Sequence, residues 1–269
     1  MTSAPEDADL ILLKCPSDIG IRNTDRKGTL EAPSRILEGL NFEEDVFVDE
    51  VFPDEFDLKE SQSRIGKRAE GLLEFDKPIV FLGGDHSIAF PSLRRMKEKF
   101  PRLKVLWVDA HPDAKEVRLD RGVPHDAVVR ELINQDFELE DFVFLGQRES
   151  DPDEKIVELD SFQRLTTRKL EDLSAEEIEG RIQELFGGDS FPVYLSFDID
   201  ALDRKYLQGT TFPSEGGLSP SQAEKLVNAV SDLNLKGADL VEYSPPFSRE
   251  GEVQKVRKVL KDITSNITV

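Results

Sequence analysis

The chain has 269 residues, with 55 acidic against 35 basic side chains, a formal net charge of -20 and 38% hydrophobic residues. A chain of this length can form one large α/β domain or two small ones; with no composition break, no linker-like Pro/Gly/Ser stretch and no repeat, one domain over residues 1–269 is expected. The negative charge repels nucleic acid and anionic membranes, which excludes both as electrostatic partners, and fits either a high-salt cytoplasm or an ordinary acidic protein.

The polar and acidic start, Met1 to Asp7, has neither a basic nor an apolar leader segment, and no stretch approaches the length of a membrane span. A soluble, cytoplasmic protein is expected. Cys15 is the only cysteine, so the chain has no intrachain disulfide and no thiolate metal cluster. Because Cys15 follows the apolar run Ile11-Leu12-Leu13, it reads as a small core residue.

Short apolar runs alternate with segments of helical periodicity, the pattern of a parallel sheet covered on both faces. The runs predict strands at Asp9–Lys14, Asp45–Asp49, Pro78–Leu82, Lys104–Val108, Phe142–Gly146, Val193–Phe197 and Ala238–Glu242, with a further one near Phe162–Leu165. Apolar residues three and four apart predict helices at Ala32–Leu40, Leu58–Glu74, Ser92–Lys99, Ala127–Asn134, Ala175–Phe186, Pro220–Leu233 and Val253–Ile263. Ser219-Pro220 and Ser174 supply helix-starting caps.

The placement of the acids and histidines carries the functional signal. Each of the three histidines stands in a loop-like segment beside carboxylates: Gly83-Gly84-Asp85-His86-Ser87, Asp109-Ala110-His111-Pro112-Asp113 and Val123-Pro124-His125-Asp126. Further acids follow a strand in Ser196-Phe197-Asp198-Ile199-Asp200-Ala201-Leu202-Asp203, and Glu242 ends another. In an open parallel sheet all carboxyl ends point one way and ligands bind beyond them, so four strands deliver His and acidic groups to one rim. Alternate residues of Asp109–Asp113, and of Asp198–Asp200, share one side of an extended segment. With His86 they make six potential ligands, four Asp and two His, a donor set suited to a borderline-hard divalent transition metal. Four carboxylates at a partly buried rim are unfavourable without cations; two divalent ions offset them.

These segments resemble the ureohydrolase family of arginase, agmatinase, guanidinobutyrase and formimidoylglutamase. The matching segments are Gly83–Ser87, Asp109–Asp113, Ser196–Asp203, the loop Gly209–Leu218 and Asp239-Leu240-Val241-Glu242-Tyr243-Ser244-Pro245. They occur in family order over the last two-thirds of the chain, and Pro16-Ser17-Asp18-Ile19-Gly20 resembles the family's opening loop. The resemblance implies a three-layer arginase-like α/β fold, a mostly parallel sheet of about eight strands with helices on both faces. It implies two Mn²⁺ ions per subunit, one on His86, Asp109, Asp113 and Asp198, the other on Asp109, His111, Asp198 and Asp200. It also implies attack of a metal-bridging hydroxide on the central carbon of a linear guanidine or amidine. Glu242 matches the carboxylate that pairs with the guanidinium. His125 matches the acid/base that protonates the leaving amine, unless Arg121-Gly122 aligns there instead, since Asp126 rather than Gly follows it.

Lys115, two residues after Asp113 and near Arg118, occupies a position where formimidoylglutamases carry a base that meets a substrate carboxylate; its alternative is an exposed charge balancing an acidic surface. Ser17–Asn23 leans the same way, and Arg204 replaces the usual Pro after Asp203. The resemblance therefore implies an agmatinase- or arginase-like hydrolase releasing urea. A formimidoylglutamase-like enzyme releasing formamide is the alternative, and a catalytically silent metal-binding relative a further one. A homo-oligomer, trimer or hexamer, is implied as well.

Overall fold

A computed structural model describes residues 1–21, 24–117, 120–149, 164–187 and 191–267. Eight strands form one sheet: β1 (Leu10–Cys15), β2 (Val46–Glu50), β3 (Ile79–Gly83), β4 (Lys104–Val108), β5 (Phe142–Leu145), β6 (Arg164–Leu165), β7 (Val193–Asp198) and β8 (Leu235–Val241). Their spatial order is β2-β1-β3-β8-β7-β4-β5-β6, and every neighbouring pair is parallel. The helices are α1 (Ala32–Leu37), α2 (Leu58–Leu73), α3 (Ala89–Lys99), α4 (Val128–Gln135), α5 (Thr167–Glu171), α6 (Ala175–Leu185), α7 (Pro220–Ala229) and α8 (Glu252–Ile267).

The apolar runs are continuous because the sheet is covered twice. Successive side chains point to opposite faces. Leu10, Leu12, Leu82, Val108 and Phe197 pack with Ile36 of α1, Ile182 of α6, Leu226 of α7 and Leu260 of α8. Ile11, Leu13, Phe81, Trp107 and Phe144 pack with Ile65 of α2, Leu93 of α3 and Leu132 of α4. The expected three layers are thus present. Cys15 is buried in the second of these cores, and burial pushes its thiol pKa up, consistent with an inert packing residue. Ser174 and Ser219 cap α6 and α7 as expected, each in a reciprocal box with the residue three positions on.

Several boundaries differ from the sequence expectation. Helix α3 starts at Ala89, not Ser92, because Pro91 fits a first turn, where its missing N–H is not needed. Strand β8 starts at Leu235, three residues early; Gly237, which masks the strand pattern, is there because a Cβ would stand 2.7 Å from Met96 Cε. Helix α1 stops at Leu37, two residues before Gly39 with its positive φ of 68°. Helix α5 was not anticipated, being a single short turn with one buried residue, Leu170. The strand expected near Phe162–Leu165 exists at Arg164–Leu165, paired with Phe144–Leu145, while Phe162 and Gln163 lie outside the described residues.

For the chemistry, the decisive feature is the strand order. It sets β3, β8, β7 and β4 side by side at the centre, so that His86, Glu242, Asp198 and Asp109 emerge at one rim. The backbone leaving β3 is clamped against the chain leaving β1: Gly84 N–H donates to the Cys15 carbonyl at 3.1 Å and Asp85 N–H to the Ser17 carbonyl at 2.9 Å. A Cβ on Gly84 would fall 2.1 Å from the Ser17 carbonyl oxygen and 2.3 Å from its nitrogen, contacts that only main-chain movement could relieve. Gly84→Ala is therefore expected to destabilise the fold by about 2–3 kcal/mol, read as a lowered midpoint in chemical denaturation. An unchanged midpoint would mean that the two turns are not locked together.

Candidate active site and metal centre

At this rim the side chains converge on the imidazole of His86, which is fully buried. His86 begins a short 3-10 turn, His86–Ile88, that starts directly after β3 and Gly84-Asp85. Its Nδ1 lies 3.1 Å from Asp109 Oδ2, 3.1 Å from Asp113 Oδ2 and 3.3 Å from Asp198 Oδ2. On the other side of Asp109 a second group forms: His111 Nδ1 lies 3.4 Å from Asp109 Oδ1 and 2.9 Å from Asp200 Oδ2. The two oxygens of Asp109 thus face two different histidines.

The tautomer of His86 follows from what stands behind it. Its Nε2 is 2.8 Å from Ser196 Oγ, and Ser196 donates its own hydroxyl proton to Asp239 Oδ1 at 2.9 Å, while Tyr194 OH donates to Asp239 Oδ2 at 2.9 Å. With its proton committed to Asp239, Ser196 must accept from Nε2–H. The Nδ1 lone pair is then left facing three carboxylates, and neither His86 Nδ1 nor Asp109 Oδ2 has a hydrogen-bond partner in the protein. Buried polar atoms without partners are costly, and here they lie among ligand-type oxygens. Burial alone would keep the ring neutral, yet the close carboxylates of Asp109, Asp113 and Asp198 outweigh it and push the His86 pKa well above the imidazole range. The site demands a positive charge at Nδ1, and a divalent cation fits where a proton would otherwise sit. His86, Asp109 and Asp113 could hold one ion, and Asp109, His111 and Asp200 another.

The carboxylates respond to the same crowding. Burial and the neighbouring Asp109 push Asp113 up to about 7. Burial, with Asp200 and Asp109 close by, raises Asp198 well above the carboxylate range. Asp109 shifts the opposite way, because both imidazoles outweigh its burial. The backbone contributes as well. Asp198 Oδ1 accepts the N–H of Asp200 at 2.7 Å, Asp200 Oδ1 that of Ala110 at 3.1 Å, and Asp113 sits in the left-handed region at φ 46°. This conformation costs energy for a non-glycine residue, although Asp tolerates it better than most.

Glu242 and His125 stand beside this cluster. Glu242, at φ 63°, accepts the N–H of His86 at Oε1 and the hydroxyl of Thr211 at Oε2, both at 2.8 Å. Each oxygen keeps a second acceptor site for an incoming donor. Burial, with Asp85 nearby, pushes its pKa up to about 8, so its ionised form calls for a positive neighbour. His125 Nδ1 is 3.7 Å from Glu242 Oε1, and its ring stacks on Phe212 at 5.5 Å and 4°. Burial holds the His125 pKa below the usual imidazole range. Arg121, in the competing alignment, is exposed, and Gly122 packs on the start of α2. Lys115 turns elsewhere: its ammonium lies 3.6 Å from Asp126, and it lines a separate cleft with Arg130 and Glu131. Arg118 lies outside the described residues.

Some supporting residues could not be picked out of the sequence as such. Trp107 stacks on His86 at 4.1 Å and 8°. Arg148 donates to the carbonyls of Asp200, Ala201 and Leu202, fixing the turn after Asp198. Arg26 does the same for the carbonyls of Gln208 and Thr210, next to Thr211 and Phe212. Nothing in the local sequence of either arginine signals this. Asp85 was legible only as part of its motif; it accepts from Ser17 Oγ, Gly20 N–H and Ser87 N–H and ties the opening loop to the site.

Comparison with known proteins agrees with this geometry. Residues 8–264 match the Arginase family. The mitochondrial guanidino acid hydrolase of Homo sapiens is 31% identical over 93% of this chain and 75% of its own length. The agmatinase of Escherichia coli O1:K1 / APEC is 33% identical over 72% of this chain, and the match spans 60% of that enzyme. Among solved structures, the proclavaminate amidino hydrolase from Streptomyces clavuligerus superposes with a TM-score of 0.85 at 22% identity, covering 97% of this chain and 92% of that one. The chain belongs to the arginase family, hydrolases that cleave the C–N bonds of amidino groups.

Proposed function

We propose that this chain hydrolyses a linear guanidino compound, in the manner of an agmatinase or arginase, with urea as one product. The observation that carries the reading is the partnerless Nδ1 of His86, aimed at three carboxylates beside a second histidine–aspartate group that shares Asp109. In this proposal one Mn²⁺ would be held by His86, Asp109, Asp113 and Asp198, the other by Asp109, His111, Asp198 and Asp200. Asp109 could contribute to holding both, since its two oxygens face the two imidazoles. Bound together, the ions would supply charge that offsets the carboxylates and would acidify water for attack on the amidino carbon.

The remaining residues bind, orient and move protons. Four carboxylates balance two divalent ions, and a guanidinium would pair with the ionised form of Glu242 and stabilise it. With its two oxygens fixed by His86 N–H and Thr211, Glu242 offers a planar acceptor pair to the guanidinium fork. Burial keeps His125 neutral and so able to accept the proton that the attacking water loses; the imidazolium, beside Glu242, then gives it to the departing amine. Phe212, stacked on that ring, excludes water from one face. By their names, the relatives act on guanidino acids and agmatine, so these two head the substrate panel, followed by arginine, guanidinobutyrate and a formimino amino acid. The proposal includes one catalytic domain over 1–269 and a cytoplasmic homo-oligomer.

Three experiments test it. Asp198→Ala should lose both metals by elemental analysis and all urea release; two retained equivalents would refute the bridging assignment. His125→Asn should keep the metals while kcat drops about 10²–10⁴-fold, whereas wild-type turnover would remove His125 from the chemistry. Trp107 is the chain's only tryptophan and stacks on His86, so Mn²⁺ added to chelated protein should change its fluorescence. Mn²⁺ at 100 times its Kd should also add about 2.7 kcal/mol of stability. A flat titration with no stabilisation would sink the metal reading independently of any substrate.

A further inference from the structure

Helix α2 buries two polar residues: Ser61, which bonds the backbone of Asp54, and Gln62, which touches none of the proposed ligands. Gln62 shares a face with Leu58, Ile65 and Ala69, and it is buried. Its amide is committed in three directions. Nε2 donates to the Val123 carbonyl at 2.7 Å and to the Ser87 carbonyl at 3.1 Å, and Oε1 accepts the Val123 N–H at 3.1 Å. Both amide hydrogens are used, and both main-chain groups of Val123 are satisfied by one side chain. Ser87 adjoins His86, and Val123 lies two residues before His125. A single side chain thus joins the two turns that bear His86 and His125.

A second observation shows that the loop is built to dock there. Gly122 has φ 99°, a conformation that favours glycine. A Cβ on it would stand 2.9 Å from Lys59 N, 3.0 Å from Leu58 Cγ and 3.1 Å from Gln62 Oε1. Without a side chain, the loop can lie on the first turn of α2, within reach of the Gln62 amide. The chain then runs through Pro124 to His125, whose N–H donates to the Gly20 carbonyl at 3.3 Å and whose ring meets Phe212 and Glu242.

We propose that Gln62 is a positioning residue, which holds the His125 imidazole at the site through the backbone of Val123, with Gly122 as the contact that permits it. The inference rests on the reading of His125 as the acid/base group. An amide is required because the position needs two donors and one acceptor. A carboxylate could not donate to either carbonyl, and a thioether of similar volume would leave all three main-chain groups unpaired.

The test is a double-mutant cycle on the metal-loaded enzyme with its preferred guanidino substrate, using Gln62→Met, His125→Asn and the pair. Gln62→Met should keep two equivalents of metal and an unchanged KM while kcat falls roughly 10–100-fold, the scale of a small misplacement of a reacting group. In the His125→Asn background the same substitution should cost less than about twofold, because its effect runs through the imidazole. An equal kcat loss in both backgrounds would assign Gln62 a general structural role and overturn the inference while leaving His125 in place. Wild-type kcat for His125→Asn would instead overturn the acid/base reading itself, and the inference with it. Should Gln62→Met not fold, Gly122→Ala tests the same docking, with the same dependence on His125 expected; additive losses there count equally against it.

Discussion

The structure depends on an electrostatic constraint at the carboxyl end of its sheet. Asp109, Asp113 and Asp198 surround one nitrogen of a fully buried imidazole, with Asp200 and His111 alongside. Like charges brought this close in a low-dielectric setting repel strongly. The arrangement is stable only if positive charge occupies the space between them, as protons or as cations that these residues could hold. The opposed shifts of Asp109 and Asp113 reflect the same crowding: one carboxylate has two imidazoles for partners, while the other has burial and a like charge.

A rim of this kind needs a rigid base, and the fold supplies it in two ways. The all-parallel order places the four contributing strands next to one another, with their ends locked by main-chain bonds between successive turns. Behind the rim, committed polar groups fix orientation. Ser196, Asp239 and Tyr194 set the tautomer of His86, Arg148 gathers the carbonyls after Asp198, and Asp85 draws in the loop after β1. Fully satisfied buried networks of this sort keep geometry within tolerances that a loop alone would not. The strained φ values at Asp113 and Glu242 belong to this picture, since both residues carry site carboxylates and the surrounding bonds hold them in place.

Local sequence identified some of these features better than others. The strand runs, the caps at Ser174 and Ser219 and the gathering of six His and Asp residues at one rim were legible, because each is encoded in a few neighbouring residues: an apolar period, a hydroxyl before a helix, alternate polar residues in an extended segment. Boundaries failed where a residue had two meanings. Pro91 reads as a helix break yet fits a first turn, and Gly237 reads as a turn although Met96 and Tyr194 pack over it inside β8. Lys115, placed by its spacing beside the ligand motif, has its side chain at Asp126. Spacing along a chain does not fix the direction in which a side chain leaves it.

The sequence by itself determined the inventory: which groups could bind cations, that they follow strands, and that one acidic α/β chain carries them. Only the tertiary structure decided how they meet. It set β8 between β3 and β7, gave Asp109 two histidine partners, and turned His125 rather than Arg121 toward Glu242. It also brought Gln62, Arg26 and Arg148 to segments far from them in the chain. The physical reason is range. Periodicity and capping act over a few residues, whereas hydrogen bonds between turns and repulsion among buried charges join segments that the sequence separates by 52 to 182 residues.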